Sequence, residues 1–217
     1  MSGTADVWAV VPVKDTTDAK QRLGEAVPAG LRQRLALAMA EDVLAALAAA
    51  TGLAGICVVT IDPSAARLAQ RYGARVLDGG ARDGQTGAIG AAADLLAREG
   101  RGAMLALPGD IPLATPEEIA TVVAAHQRLT DFVIVPAHDG RGSNAILCAP
   151  PGVVPLRFGD DSFVPHLAAA RRAGIEPTIV RLPGIGLDID HPRDLAAFLK
   201  IPSSTRARLV LQEAGVL

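Results

Sequence analysis

Short aliphatic, β-branched runs alternate along this chain with longer stretches whose apolar residues recur every four positions, and that alternation confines it to an α/β architecture. VWAVVPV at 7–13 reads as a strand. Over 28–50, Leu31, Leu35, Met39, Val43 and Leu47 fall on one helical stripe. The pattern then predicts a strand at 56–60, a helix at 64–72, a strand at 74–77, a helix at 87–98 and a strand at 103–107. Strands separated by helices in this way form a parallel sheet with helices on both faces. Thr115, Pro116 and Glu118 give the next helix, 116–127, a strong start signal. Strands at 132–136 and 144–149 follow with no helix between them, then a helix at 162–173, strands at 178–182 and 186–190, a helix at 192–199 and a terminal helix within 203–217. The crowding of these later strands makes the sheet mixed. No repeat, linker or composition break divides the 217 residues, so one domain over 1–217 is expected.

Several function classes fall away on charge and composition. Twenty-one basic against 23 acidic side chains give a formal charge of −2, so no overall field draws in nucleic acid or a membrane. Cys57 and Cys148 lie in apolar strand-like runs and read as buried, reduced core residues. The first residues, Met-Ser-Gly-Thr-Ala-Asp, carry no basic leader, and the Ala-rich stretch 35–50 is broken by Glu41 and Asp42. A soluble, cytoplasmic, enzyme-sized domain is the expectation.

In an open α/β sheet, ligands bind beyond the carboxyl ends of the strands. Past the first strand, Lys14, Lys20 and Arg22 fall within nine residues and could hold anionic oxygens; a solvated basic loop is the alternative. Asp110 follows an apolar strand directly and is fenced by Pro108 and Pro112. Such a carboxylate suits a hard divalent cation, or else caps a turn. Asp188 and Asp190 stand two apart in a strand-like run, so both point to one face and repel unless a cation or a proton lies between them, and a metal site would resolve that conflict. Asp190 has a competing role as N-cap of the helix beginning near Pro192. The glycine-rich stretch Asp139–Asn144 could bring backbone amides to an anion, with Ser143 and Asn144 as side-chain donors, or be an ordinary turn. Ser162 stands near a helix start, where it could meet an anion or act as a plain cap. The four histidines form no Ser-His-Asp order and no metal-binding spacing, and there is no P-loop or dinucleotide-binding glycine pattern.

The ordered set Val10-Val11-Pro12-Val13-Lys14, Ala19-Lys20-Gln21-Arg22-Leu23, Pro108-Gly109-Asp110-Ile111-Pro112, Gly142-Ser143-Asn144-Ala145, Arg157-Phe158-Gly159 with Ser162-Phe163, and Gly186-Leu187-Asp188-Ile189-Asp190 resembles the 2-phospholactate / phosphoenolpyruvate guanylyltransferases of deazaflavin coenzyme biosynthesis. The resemblance spans about residues 7–199 and implies a single-domain, Rossmann-like GT-A-type nucleotidyltransferase fold. It implies transfer of GMP from GTP to the phosphate of a small acid (phosphoenolpyruvate, 2-phospholactate or 3-phosphoglycerate) with release of pyrophosphate. It further implies Mg²⁺ held by Asp110, Asp188 and Asp190, with Lys14 and Lys20 on the phosphates. Ser143, Gly159 and Ser162 would hold the phospho-acid with Arg22 nearby, and a homodimer is a permitted assembly. Ser143 replaces the family's usual Thr, Asp160-Asp161 its Pro-Gly pair, and Gly-Gln-Thr-Gly at 84–87 its Leu-Asn segment. The alternatives are a related nucleotidyltransferase for a sugar phosphate or a molybdenum-cofactor precursor, or a nucleotide-binding relative without turnover. Against the sugar-phosphate reading, residues 11–18 contain no glycine.

Overall fold

A computed structural model describes residues 6–17, 19–24 and 27–216; the leader reading on residues 1–5 and the last residue of the terminal stretch, Leu217, lie outside the described residues. β1 (Val7–Pro12) runs parallel to β2 (Leu53–Val59) on one side and to β4 (Ala103–Ala106) on the other. β3 (Arg75–Leu77) lies parallel outside β2. Beyond β4 comes β6 (Ser143–Ala149), antiparallel both to β4 and to β5 (Asp131–Pro136), and β7 (Thr178–Ile179) pairs parallel with β5. The seven strands therefore lie in the order β3-β2-β1-β4-β6-β5-β7, with β6 alone reversed. This is the mostly parallel mixed sheet expected from the sequence.

The helices cover both faces. Alternation along β1 sends Val7, Ala9 and Val11 against Val43, Leu44 and Leu47 of α1 (Ala29–Ala49), and Val10 to the other side, against Ile89 and Leu96 of α3 (Gly84–Arg98). α2 (Pro63–Arg71) and α4 (Pro116–Ala125) join the first face, and α5 (Phe163–Arg172) packs Phe163, Ala169 and Ala170 on Phe132 and Ile146 of the second. α6 (Pro183–Gly186), α7 (Pro192–Lys200) and α8 (Arg206–Glu213) complete the chain. A satellite core of Leu35, Met39, Ile189, Phe198 and Leu211 holds α7 and α8 to α1. Each of these large side chains contributes roughly 1.5–3 kcal/mol by leaving water. Asp42 of α1 adds a polar tie, accepting from the amides of Arg206 and Ala207 at 2.8 and 2.9 Å; burial pushes its carboxyl above the ordinary value.

Four elements differ from the sequence expectation, β2 among them, since it begins at Leu53 rather than 56. α3 begins at Gly84 rather than 87, so Gln85 and Thr86 belong to its first turn. β7 is two residues long, although the Val180 amide still reaches Ile134 O at 2.9 Å before Pro183 starts the next turn. No strand forms at 186–190: Pro183–Gly186 winds into α6, and residues 187–190 run extended without a strand partner. The reason lies in α4. The Glu118 carboxylate takes the amides of Gly184 and Ile185, both at 2.8 Å, giving the turn the anionic partner its orphan N–H groups need. A Cβ on Gly184 would stand 2.2 Å from Leu113 O, so only glycine lets the turn sit this close. Glu118 thus serves a distant turn instead of closing a capping box with Thr115, whose hydroxyl does accept from the Glu118 amide at 3.2 Å.

This topology fixes where a ligand can bind. The chain steps outward from β1 to β3 and then returns to β4 on the other side, which makes the β1/β4 boundary a switch point with loops diverging above it. Because β6 is reversed, its first residues, Ser143 and Asn144, stand at that same edge.

Candidate active site

Above the switch point lies a cleft of about 760 Å³, and Lys14, Lys20, Arg22, Asp110, Ser143, Gly159, Ser162, Asp188 and Asp190 all line it. Lys20 and Asp190, 170 residues apart in sequence, are brought into contact there.

The loop after β1 is pinned from below. Asp62, at the N-cap of α2, accepts from the Thr16 amide at 2.8 Å, from the Thr16 hydroxyl, and from the amides of Ser64 and Ala65 at 2.7 and 3.1 Å. Burial alone would raise this carboxyl, but the donors outweigh it and hold the pKa below its usual value. From that anchored loop Lys20 turns inward with φ 55°, the only non-glycine positive φ among the described residues. Such a left-handed residue costs about 1 kcal/mol or more, and the position it gives the side chain accounts for it. The Lys20 ammonium stands 2.6 Å from Asp110 Oδ2 and 2.6 Å from Asp190 Oδ1. Burial would lower the Lys20 pKa; the two carboxylates win and hold it above its ordinary value.

Asp188 is the third acid. Burial pushes its pKa up, and the charges of Asp110 and Asp190 push the same way, against one bond from Asn144 Nδ2 at 3.0 Å. The same amide also reaches Ile185 O and Gly186 O, each at 3.0 Å, so Asn144 clamps the extended segment rather than facing a ligand with a free donor. Ile189 between the acids is buried, and its amide donates to Asp110 O at 3.0 Å, which locks the two acid-bearing segments side by side. Asp190 is not a helix cap. His191 takes the N-cap position of α7, and Asp194 accepts the His191 amide at 2.8 Å, leaving the Asp190 side chain to the cleft.

The fit of a divalent cation can be judged from charge and satisfaction. Among the described residues no three His, Cys, Asp or Glu side chains yet converge as a ready coordination group, because Lys20 occupies the space between Asp110 and Asp190. Asp110 and Asp190 nevertheless share one buried ammonium, with Arg22 3.9 Å from Asp190 at the rim, while Asp188, whose pKa is raised by burial and by its two acidic neighbours, has Asn144 and no cation as its side-chain partner. Asp110 Oδ1 is buried with no hydrogen-bond partner. A buried, unsatisfied carboxylate oxygen in an acid cluster short of positive charge is what a hard oxygen-seeking cation would complete.

On the far wall the glycine-rich stretch closes as a hairpin turn. Its Gly140 and Arg141 amides are spent on Ala137 O and Asp139 Oδ1, both at 2.9 Å, so they are not free for an anion. Arg141 grips Asp161 at 2.6 and 3.0 Å and Arg22 meets Asp160 at 3.5 Å, so both acids of the Asp160-Asp161 pair face arginines. The Ser162 hydroxyl does not cap α5; it reaches Ser143 Oγ at 3.3 Å. A Cβ on Gly159 would meet nothing within 4 Å, so no neighbouring protein atom demands glycine there. Thr86 Oγ1 accepts the Phe158 amide at 3.0 Å and, with Gln85, brings the start of α3 to the cleft.

His166 was missed by sequence reasoning. It is 1% exposed, with Nδ1 2.9 Å from Ser143 Oγ, and burial lowers its pKa to about 4. Its four-residue offset from Ser162 on one helix face was the available signal. His126 instead lies 3.4 Å from Asp131, away from the cleft. The two cysteines are free and buried, as expected, and burial pushes the Cys148 thiol up to about 12. No helix among the described residues is long and apolar enough to cross a membrane.

A sequence profile described as "Guanylyl transferase CofC like" matches residues 7–216. Among similar chains, a phosphoenolpyruvate guanylyltransferase of Conexibacter woesei is 36% identical over 200 residues, 92% of this chain and 90% of that one. One from Rubrobacter xylanophilus is 38% identical, covering 88% and 92%, and one from Roseiflexus castenholzii 37%, covering 96% and 95%. Of solved structures, 4-diphosphocytidyl-2C-methyl-D-erythritol synthase from Anaerococcus prevotii superimposes with a TM-score of 0.64 at 12% identity, covering 91% of this chain and 97% of that one. A cytidylyltransferase from Leptospira borgpetersenii does so with 0.59 at 15%, covering 97% and 95%. These two likenesses show a shared fold.

Proposed function

The chain belongs to the CofC-like guanylyl transferase family, and from that premise we propose that it transfers GMP from GTP to the phosphate of phosphoenolpyruvate in deazaflavin coenzyme biosynthesis. The observation that carries the reading is the meeting of Asp110 and Asp190 on a single buried ammonium with Asp188 close enough to feel their charge, in a cleft also lined by two serine hydroxyls. The cleft is of a size to take a nucleotide and a small acid together.

A phosphate oxygen of the acid attacks the α-phosphorus of GTP; a new P–O–P bond forms, the α–β bond breaks, and pyrophosphate leaves. The attacking oxygen needs no general base, because a phosphate monoester with a second pKa near 6 is mostly deprotonated at neutral pH. The harder task is holding two anions in line. Asp110, Asp188 and Asp190 would hold Mg²⁺, which when bound offsets that repulsion and stabilises charge on the reacting phosphate. Lys14 and Lys20 hold triphosphate oxygens as point charges. Ser143, Ser162 and the open backbone at Gly159 hold the phospho-acid, and Arg22 stands at the mouth. The substrates are cytoplasmic metabolites, which with two reduced, buried thiols supports a cytoplasmic enzyme.

Purified protein with GTP and Mg²⁺ is expected to release pyrophosphate only when phosphoenolpyruvate is added, with product mass confirming the GMP adduct. No release with phosphoenolpyruvate, 2-phospholactate or 3-phosphoglycerate would remove the catalytic reading; release with only one of the latter two would reassign the acceptor. Ser162→Ala is expected to raise the phospho-acid KM about tenfold while moving the GTP KM less, as for loss of one charge-assisted hydrogen bond. The reverse pattern would move Ser162 to the nucleotide side.

A further inference from the structure

Behind Ser143 and Ser162 the histidine that no motif singled out makes two defined contacts. The backbone amide of Arg157 donates to His166 Nε2 at 3.0 Å, and Nδ1 lies 2.9 Å from Ser143 Oγ. An amide can only donate, so Nε2 must be bare. A neutral ring then carries its proton on Nδ1, and Nδ1–H donates to Ser143 Oγ. His166, Ser143 and Ser162 are 1%, 6% and 5% exposed, so water does not scramble this order.

Counting protons shows the consequence. The two serines have two hydroxyl protons, and the Ser162–Ser143 bond at 3.3 Å uses one. Because His166 gives a proton rather than accepting one, the second is left over and is directed to the cleft both serines line. With the opposite tautomer, both protons would be consumed and the serines would turn lone pairs toward an incoming anion. We propose that His166 is a positioning residue that sets the proton direction of the Ser143–Ser162 pair, making it a net donor to the oxyanions of the phospho-acid. This rests on the reading that these serines hold the acid. The Arg157 contact supplies the polarity, and it also ties the loop containing Gly159 to α5.

The test uses two amides that each replace one ring nitrogen. His166→Gln places a carbonyl near Nε2, keeping the Arg157 contact and losing the donor to Ser143. Its phospho-acid KM is expected to rise about tenfold, with the GTP KM within about twofold. His166→Asn places an N–H near Nδ1, and its phospho-acid KM is expected to return to within about threefold of wild type although the Arg157 contact is gone. In a Ser143→Ala background, His166→Gln should have no further effect on that KM. Equal KM values for the Gln and Asn variants, or an undiminished Gln effect without Ser143, would overturn the role. An unchanged phospho-acid KM in both Ser143→Ala and Ser162→Ala would instead sink the acid-site reading. ¹⁵N NMR of the wild-type ring needs no variant to fold: a protonated Nδ1 and bare Nε2 are expected, and the other tautomer overturns the proposal.

Discussion

Asp110→Asn is expected to lower pyrophosphate release about 10³-fold, the scale on which charge stabilisation specific to a transition state is lost, while leaving the melting temperature unchanged or slightly raised. The expectation joins two observations. Asp110 contributes one of three crowded carboxylates and an orphaned oxygen, so the charge matters for what binds there. Its backbone carbonyl, which takes the Ile189 amide, is untouched by the change, and an Asn oxygen can still accept from Lys20. Removing one negative charge relieves repulsion with Asp188 and Asp190. Turnover and thermal melting on the same preparation check both halves. A rate near wild type would mean that the cation is held by other residues.

The second large effect is expected from a residue that touches no substrate. Asn144→Leu keeps the volume but takes the shared donor away from Ile185 O and Asp188 Oδ1 in a buried place, while Gly186 O keeps the His138 amide at 2.8 Å. Unpaired buried acceptors cost about 1–3 kcal/mol each in the worst case, and the loosened Asp188 should lower turnover a further 10–100-fold, roughly as for groups that orient metal ligands. Denaturant midpoints and pyrophosphate release are the measurements. If stability is unchanged, Glu118, the His138 amide and the Ile189 amide hold the 183–190 segment, and the clamp assigned to Asn144 is unnecessary.

The sequence made legible those features that depend on periodicity or on position along a strand. The four-residue stripe of α1 emerges at Ala29–Ala49, and the inference that Asp110 stands past a strand end holds because β4 stops at Ala106. The shared cleft-facing side of Asp188 and Asp190 was legible even though the strand expected around them does not form, since two-residue alternation does not require a strand partner. What stayed hidden are partners across space. Nothing about Lys20 in its own segment says that its ammonium lies between two acids, and Glu118 read as half of a local cap because the turn it serves lies 66 residues away. Asp194, not Asp190, supplies the bond at the start of α7, a choice decided by which side chain the cleft had already claimed. His166 was overlooked because a lone histidine on a helix has no pattern until the neighbouring serines are in place.

Lys20 gives the polypeptide its own provisional counter-ion. Because an ammonium fixed by an unusual backbone turn already quiets two of the repelling acids, folding is expected to proceed without a mineral, which refolding in the presence of a chelator checks. Maturation and loading become separate events, and chelation would be expected to silence such an enzyme without unravelling it.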